Sequence, residues 1–238
     1  VYVCSNCGQE SAKWIGKCPS CGQWNTFKEL RVSADTGSLA ARNAAVDMHR
    51  AMSHSGAKPM FLKDISSQDE PRIDMHDNEL NRVLGGGLVR GSIVLLGGEP
   101  GIGKSTLTLQ TVLNMPDRRI LYVSGEESAH QLKMRAMRIN PDAADNVMIL
   151  CETSLEDIFK HIAEVKPEFV VIDSIQTIST ADVDSSPGSV TQVRECASAL
   201  LRFAKTSGVP VLLIGHINKE GTIAGPKILE HIVDTVIQ

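Results

Sequence analysis

The chain has 238 residues, a formal net charge of −4 and a pI of about 6.0. Hydrophobic residues make up 42% and charged residues 22%, a balance typical of a globular protein in water. No stretch approaches the roughly 20 consecutive apolar residues of a membrane span and no secretion signal opens the sequence, so we expect a cytoplasmic protein without a membrane partner. The acidic balance excludes a surface that is basic throughout, and any contact with nucleic acid must therefore be local.

Four of the six cysteines lie in the first 21 residues, in two C-x-x-C pairs that are ten residues apart. This spacing is typical of structural zinc, which four thiolates surround as a closed tetrahedron. The predicted Zn²⁺ ligands are Cys4, Cys7, Cys18 and Cys21. We expect unusual backbone dihedrals at Gly8 and Gly22, which follow the second cysteine of each pair. Residues 1–28 therefore predict a small zinc ribbon, which the metal folds because so short a piece buries little core alone.

The surface chemistry of this ribbon leaves its partner open. Residues 1–31 carry four basic and two acidic side chains, a local charge of +2. Both tryptophans of the chain, Trp14 and Trp24, lie here, and indole rings can stack on bases. We expect Trp24, together with Phe27, to cover the metal site as its small core. Trp14 lies between the cysteine pairs and is the better candidate for a contact with DNA or with another protein.

Residues 29–75 have no sustained strand pattern and predict a linker throughout, although residues 39–52 could form a weak helix. From residue 76 to 238, apolar runs alternate with helical patterns. The predicted strands cover 92–96, 120–124, 147–150, 169–172, 210–214 and 232–237, and the predicted helices begin near 104 or cover 128–139, 155–165 and 193–204. Unbroken apolar strands are buried on both faces, and their alternation with helices predicts an α/β fold with a mainly parallel sheet.

The first loop of this region matches the phosphate-binding pattern G-x-x-x-x-G-K-[ST] in full, between a predicted strand and a predicted helix. Backbone N–H groups of such a loop surround phosphate oxygens, and the helix N-terminus adds partial positive charge. Lys104 should neutralise the β- and γ-phosphates, and the Ser105 hydroxyl should bind Mg²⁺. The predicted nucleotide-binding residues are Gly98, Glu99, Pro100, Gly101, Ile102, Gly103, Lys104, Ser105 and Thr106. The loop thus predicts a site for ATP or ADP with Mg²⁺.

Two carboxylates are expected at the same edge of the sheet as this loop. Asp173 ends the apolar strand at 169–172 and can hold Mg²⁺, through water. Glu126 follows the strand at 120–124 and can polarise a water in line with the γ-phosphate. Glu127 is the alternative base, and both acids could instead only stabilise the first turn of the next helix.

Several further runs, read together, carry a family resemblance. They are LNRVLGGGL at 80–88, YVSGEES at 122–128, SVTQVRE at 189–195 and GHINKEG at 215–221. With the phosphate loop they resemble the RecA-like ATPases, and with the four-cysteine ribbon they resemble the bacterial RadA (Sms) family of DNA repair proteins. The resemblance implies a RecA-like P-loop ATPase core over 76–238, preceded by the zinc ribbon.

The resemblance also implies roles for single residues. It supports Glu126 as the catalytic carboxylate and places His216 at the end of the fifth strand as a sensor of the γ-phosphate, although a histidine here could simply pack. It implies that the loops at 179–192 and 218–227 hold single-stranded DNA, with Lys219, Lys227 and Arg194 within reach of phosphates. Glu220 and the few aromatic residues weigh against that role.

As a whole, the resemblance implies a DNA-dependent, helicase-like ATPase that drives branch migration in homologous recombination and repair. The implied partners are single-stranded DNA and recombination intermediates, a homo-hexameric ring, and RecA recombinase. Family members continue into a K-N-R-F-G motif and a Lon-protease-like domain, so we expect the core to be truncated here. The alternative function is a nucleotide-gated scaffold that binds proteins and does not translocate DNA.

Overall fold

The computed structural model describes residues 2–4, 10–11, 13–19, 22–24, 27–29, 61–64, 72–141, 146–216 and 229–238. The chain divides into two compact units, Val1–Met48 and His49–Gln238. The weak helix expected at 39–52 lies outside the described residues. Among the described residues, no helix combines the length and the apolar character needed to cross a membrane.

The first unit contains a three-stranded antiparallel sheet in the order β2-β1-β3, formed by β1 (Tyr2–Cys4), β2 (Glu10–Ser11) and β3 (Phe27–Glu29). Between β2 and β3 the chain makes a tight turn, in which the Gly22 N–H donates to the Cys18 carbonyl at 2.9 Å. Gly22 has a φ of 72°, as expected from its place after the second cysteine pair. Cys18 is buried, whereas Cys7, Gly8 and Cys21 lie outside the described residues.

The expectation that Trp24 forms the core of this unit is wrong. Its side chain is 67% exposed, and Trp14 is 54% exposed. The Lys17 Nζ atom lies 5.6 Å from the centroid of the Trp24 ring, which places a cation over one face of the indole. A ribbon of this size has too little volume to bury two indoles, so both remain on its surface.

The first described element of the second unit is a 3₁₀ turn at Leu62–Asp64, and helices alternate with strands after it. Its helices are α1 (Asn78–Val83), α2 (Lys104–Leu113), α3 (Ala129–Ile139), α4 (Leu155–Val165) and α5 (Val190–Ser207). Its strands are β4 (Ile93–Gly98), β5 (Ile120–Ser124), β6 (Val147–Cys151), β7 (Phe169–Asp173), β8 (Val211–His216) and β9 (Thr235–Ile237).

These six strands form one parallel sheet in the order β6-β5-β7-β8-β4-β9. Successive residues of β5 alternate between the two hydrophobic cores: Ile120 and Tyr122 lie in one, Leu121 and Val123 in the other. Helices α4 and α5 cover one face of the sheet, while α2 and α3 cover the other. The prediction of an α/β fold with a mainly parallel sheet is confirmed. The four inner strands β5, β7, β8 and β4 are buried, which is why they are apolar at nearly every position.

The helix boundaries follow from side-chain caps. Ser128 and Gln131 form a reciprocal capping box at the start of α3, and Ser154 caps α4 by accepting from the Asp157 N–H. The sequence analysis did not predict α1, which has no buried residues and begins where Asp77 accepts from two backbone N–H groups. The packed core starts slightly before residue 76, since Ile73 and Met75 are already buried.

Candidate nucleotide site

The loop between β4 and α2 has the backbone shape that a phosphate site requires. Gly101 and Gly103 have φ angles of 79° and 104°, a region that side-chain-bearing residues rarely adopt. Gly103 immediately precedes α2, and no side chain caps that helix, so its first N–H groups remain open toward the loop. The loop can therefore surround an anion with backbone donors at a helix N-terminus.

Lys104 lies folded against this loop. Its ammonium donates to the backbone carbonyls of Gly98 and Glu99, each at 2.8 Å, and the residue is 7% exposed. Burial lowers the pKa of Lys104, and the negative charges of Asp173 and Glu126 act in the opposite direction. The geometry agrees, since Lys104 contacts Gly98, and Gly98 pairs with His216, which lies 3.2 Å from Glu126.

The strand register explains why these residues meet. Asp173, at the end of β7, pairs with Ser124 of β5 on one side and with Ile214 of β8 on the other. His216 ends β8 directly beside Gly98, where the phosphate loop begins. Because the strands are parallel, all their carboxyl ends lie at one edge of the sheet, where α/β proteins bind ligands.

Glu126 is held at this edge by two neighbours. The Ser174 hydroxyl donates to its Oε1 atom at 2.7 Å, and His216 Nε2 lies 3.2 Å from the same oxygen. The Glu126 side chain is nevertheless 46% exposed, so its second oxygen can reach a water or a substrate. Glu127 instead forms an ion pair of 2.8 Å with Arg135 of α3.

Asp173 is positioned by a residue of the neighbouring strand. The Tyr122 hydroxyl donates to Asp173 Oδ2 at 2.6 Å, with Tyr122 fully buried and Asp173 4% exposed. Burial raises the pKa of Tyr122, and the adjacent Asp173 charge raises it further. The phenol therefore stays protonated and acts as a fixed donor to the carboxylate.

Sequence reasoning missed Tyr122, Ser174 and Gln176 as parts of this site. The Gln176 amide donates to the His216 carbonyl at 3.3 Å, which links the segment after β7 to the end of β8. One signal was available: a tyrosine inside an otherwise apolar strand needs a partner for its hydroxyl. The partners of Ser174 and Gln176 lie far away in the chain, Glu126 after β5 and His216 at the end of β8, and sequence spacing does not reveal them.

The loop at 179–189 is ordered by the buried side chain of Gln192. Its Oε1 accepts from the Thr180 N–H at 2.9 Å, and its Nε2 donates to the carbonyls of Thr180, Val183 and Ser185. Arg194 is exposed and pairs with its neighbour Glu195 at 3.0 Å. The other two basic residues expected to contact DNA, Lys219 and Lys227, lie outside the described residues.

Gln192→Ala is expected to destabilise this loop, because it removes the partners of several buried backbone groups. Each such group costs about 1–3 kcal/mol when left unpaired, so the free energy of unfolding should fall by at least about 2 kcal/mol. Urea denaturation followed by circular dichroism measures this fall. Arg194→Ala, on the exposed face of the same helix, is the matched control and should change the value by less than about 0.5 kcal/mol. Equal stabilities of the two variants would contradict this role for Gln192.

A parallel sheet with a glycine-rich phosphate loop, a loop lysine and carboxylates at one edge defines the class of P-loop nucleotide-binding proteins. The chain belongs to the AAA-domain family, whose model matches residues 59–222. A second family model, described as a rubredoxin metal binding domain, matches residues 2–29.

Proteins named DNA repair protein RadA are similar to nearly the whole chain. The one from Bacillus subtilis is 48% identical over 99% of this chain, and the one from Escherichia coli is 48% identical over 98%. The Streptococcus pyogenes protein is 42% identical over 100%. The chain spans about half the length of these curated relatives. The resemblance to the RadA family that the motifs indicated is confirmed.

Proposed function

We propose that this chain is the ATPase core of a DNA repair protein, and that it hydrolyses ATP in a manner that depends on DNA. The observation that carries the proposal is the convergence of Lys104, Asp173 and Glu126 at one sheet edge. Similarity to proteins named for DNA repair supports the choice of DNA as the partner.

The phosphate loop would bind ATP or ADP through the backbone of Gly98–Ser105 and the following Thr106. Lys104 would leave its two carbonyl partners and place its charge between the β- and γ-phosphates. Ser105 and Asp173 would hold Mg²⁺, which supplies charge neutralisation on the phosphate oxygens. Tyr122 would keep the Asp173 carboxylate in one orientation.

Glu126 would act as the general base. Its second carboxylate oxygen, which neither Ser174 nor His216 contacts, would accept a proton from the attacking water. His216 would act as the sensor: when the γ-phosphate leaves, its contact with Glu126 changes, and the Gln176 bond to its backbone passes the change to the segment after β7. Glu127 is a poor candidate, because Arg135 already neutralises it.

Tyr122→Phe tests the positioning of Asp173. The substitution removes the hydroxyl donor and keeps the aromatic volume, so the fold should persist. Because partners of metal-binding carboxylates typically contribute 10-fold to 100-fold to metal affinity, we expect Mg²⁺ activation to shift to concentrations higher by roughly 10-fold. ATPase rates across a Mg²⁺ titration measure this shift. An unchanged titration curve would remove Tyr122 from the site.

Single-stranded DNA and recombination intermediates would be the nucleic-acid partners, held by a homo-hexameric ring that drives branch migration with RecA recombinase. The loop at 179–189 carries Asp182 and Asp184 and no lysine or arginine. Phosphate contacts would therefore come from Lys219 and Lys227 of the other loop. Zn²⁺ on Cys4, Cys7, Cys18 and Cys21 would stabilise the ribbon, and the match to a metal-binding domain supports that assignment.

The second candidate function is a nucleotide-gated scaffold for proteins, which the acidic loop and the net charge of −4 would suit. Salt-dependent binding of a labelled single-stranded oligonucleotide separates the two. The proposed function predicts that the oligonucleotide binds and that its affinity, measured by fluorescence anisotropy, falls steeply between roughly 50 and 200 mM salt. Cations of the salt then compete with the protein for the phosphates. Nucleotide binding without any DNA binding would favour the scaffold.

A further inference from the structure

Two large aromatic side chains of the ribbon face solvent. Trp14 and Trp24 are 54% and 67% exposed. Tryptophan is usually buried because its large ring is mostly apolar. Exposed indoles in one small region are therefore typical of a ligand-binding or partner-binding surface. The match of this ribbon to a metal-binding domain accounts for its cysteines and leaves both tryptophans without an assigned role.

Both rings approach Gly16. The Trp14 Cη2 atom lies 3.7 Å, and the Trp24 Cζ3 atom 3.8 Å, from the position that a β-carbon on Gly16 would take. The backbones of Lys17 and Trp24 pair as an antiparallel bridge, which fixes Trp24 against the segment that carries Trp14. Both exposed rings therefore lie beside Gly16, in the same part of the ribbon.

Charge decides which partner this surface fits. Residues 13–24 contain Lys13 and Lys17 and no acidic residue, within a chain of net charge −4. Lys13 is exposed, and Lys17 Nζ lies over the Trp24 ring at 5.6 Å from its centroid. Exposed aromatic rings beside ammonium groups fit unpaired bases joined by phosphates, because stacking and charge neutralisation then act together.

We propose that Trp14 and Trp24, with Lys13 and Lys17, form a stacking surface for single-stranded nucleic acid, here named the tryptophan surface. Unpaired bases stack on the indoles, and the two ammonium groups neutralise the flanking phosphates. The proposal deepens the proposed function, since it supplies a DNA contact in the ribbon that is separate from the loops of the ATPase unit.

Tryptophan fluorescence reports on this surface directly, because Trp14 and Trp24 are the two tryptophans of the chain. Titration of the zinc-loaded chain with a thymidine oligonucleotide should quench the tryptophan emission in a saturable way. The same sequence in a duplex should quench far less, because its bases are already stacked. Label anisotropy, recorded on the same samples, measures how much DNA is bound.

Substitutions give the size of the contribution. Trp14→Ala and Trp24→Ala should each weaken single-strand binding by about 5-fold to 100-fold, the range expected for loss of one stacked base. Trp14→Phe should weaken it less, since a ring remains for stacking. Phe61→Ala is the matched control: Phe61 is also an exposed ring with a lysine over it, but it stands in the other unit, and affinity should not change. Basal ATP turnover of Trp14→Ala should equal that of the unaltered chain.

DNA binding by anisotropy with unchanged tryptophan emission would overturn this proposal and leave the proposed function intact, since the DNA would then be held elsewhere. Absence of DNA binding in any condition would overturn both. Quenching that persists equally with duplex DNA would also overturn it, because unpaired bases would not be the ligand.

Discussion

Glu126→Gln is expected to lower kcat for ATP hydrolysis by about 10²-fold to 10⁴-fold, the usual contribution of a positioned general base. The amide keeps the size of the side chain and can still contact Ser174 and His216, which lie 2.7 and 3.2 Å from the carboxylate oxygen. It cannot accept the proton of the attacking water. Nucleotide affinity should therefore change little, so the loss appears in kcat and not in Kd. Steady-state ATPase assays with a parallel binding titration measure both.

Glu127→Gln is the matched control for this experiment. It is the adjacent carboxylate, but it pairs with Arg135 at 2.8 Å and should contribute little to the chemical step. A large loss of kcat in Glu127→Gln with near-normal turnover in Glu126→Gln would reverse the assignment of the base.

Lys104→Ala is expected to abolish measurable ATP turnover, with kcat/KM reduced by at least about 10²-fold to 10³-fold, as for loss of one preorganised transition-state donor. The substitution removes the cation that lies between the phosphate loop and the two carboxylates. Those carboxylates would then repel the phosphates without compensation, so nucleotide affinity should fall as well. Isothermal titration with ADP and Mg²⁺ measures the affinity.

An exposed lysine of α3 provides the control, since Lys133→Ala changes the net charge equally and lies away from the phosphate loop. Its turnover should match the unaltered chain. Normal turnover by Lys104→Ala would show that the loop does not bind the reacting phosphates.

The four inner strands of the sheet, β5, β7, β8 and β4, were predictable because they are buried on both faces. Strands of this kind are apolar at nearly every position, and Ile120–Ser124 was predicted with the boundaries that the structure has. The helix Leu155–Val165 was also predicted with its observed boundaries. The phosphate loop was predictable because its glycines and lysine form a local pattern. The short helix α1 was missed because it has only six residues and none of them is fully buried, which leaves too short a pattern to recognise.

The partners of the site residues could not be predicted from the sequence. Tyr122 meets Asp173, and Ser174 meets Glu126, only because β5 and β7 are neighbours in the sheet although β6 separates them in the chain. The exposure of Trp24 was also mispredicted, because the sequence alone does not show how much volume a small ribbon can enclose.

A DNA-dependent ATPase site is tested best by the rate of ATP hydrolysis with and without single-stranded DNA, measured for this chain and for a chain extended to the length of its relatives. We expect hydrolysis that requires Lys104 and Mg²⁺ and that rises when single-stranded DNA is added. Nucleotide binding by both chains with no hydrolysis, or with hydrolysis that DNA leaves unchanged, would overturn the proposed function and favour the scaffold.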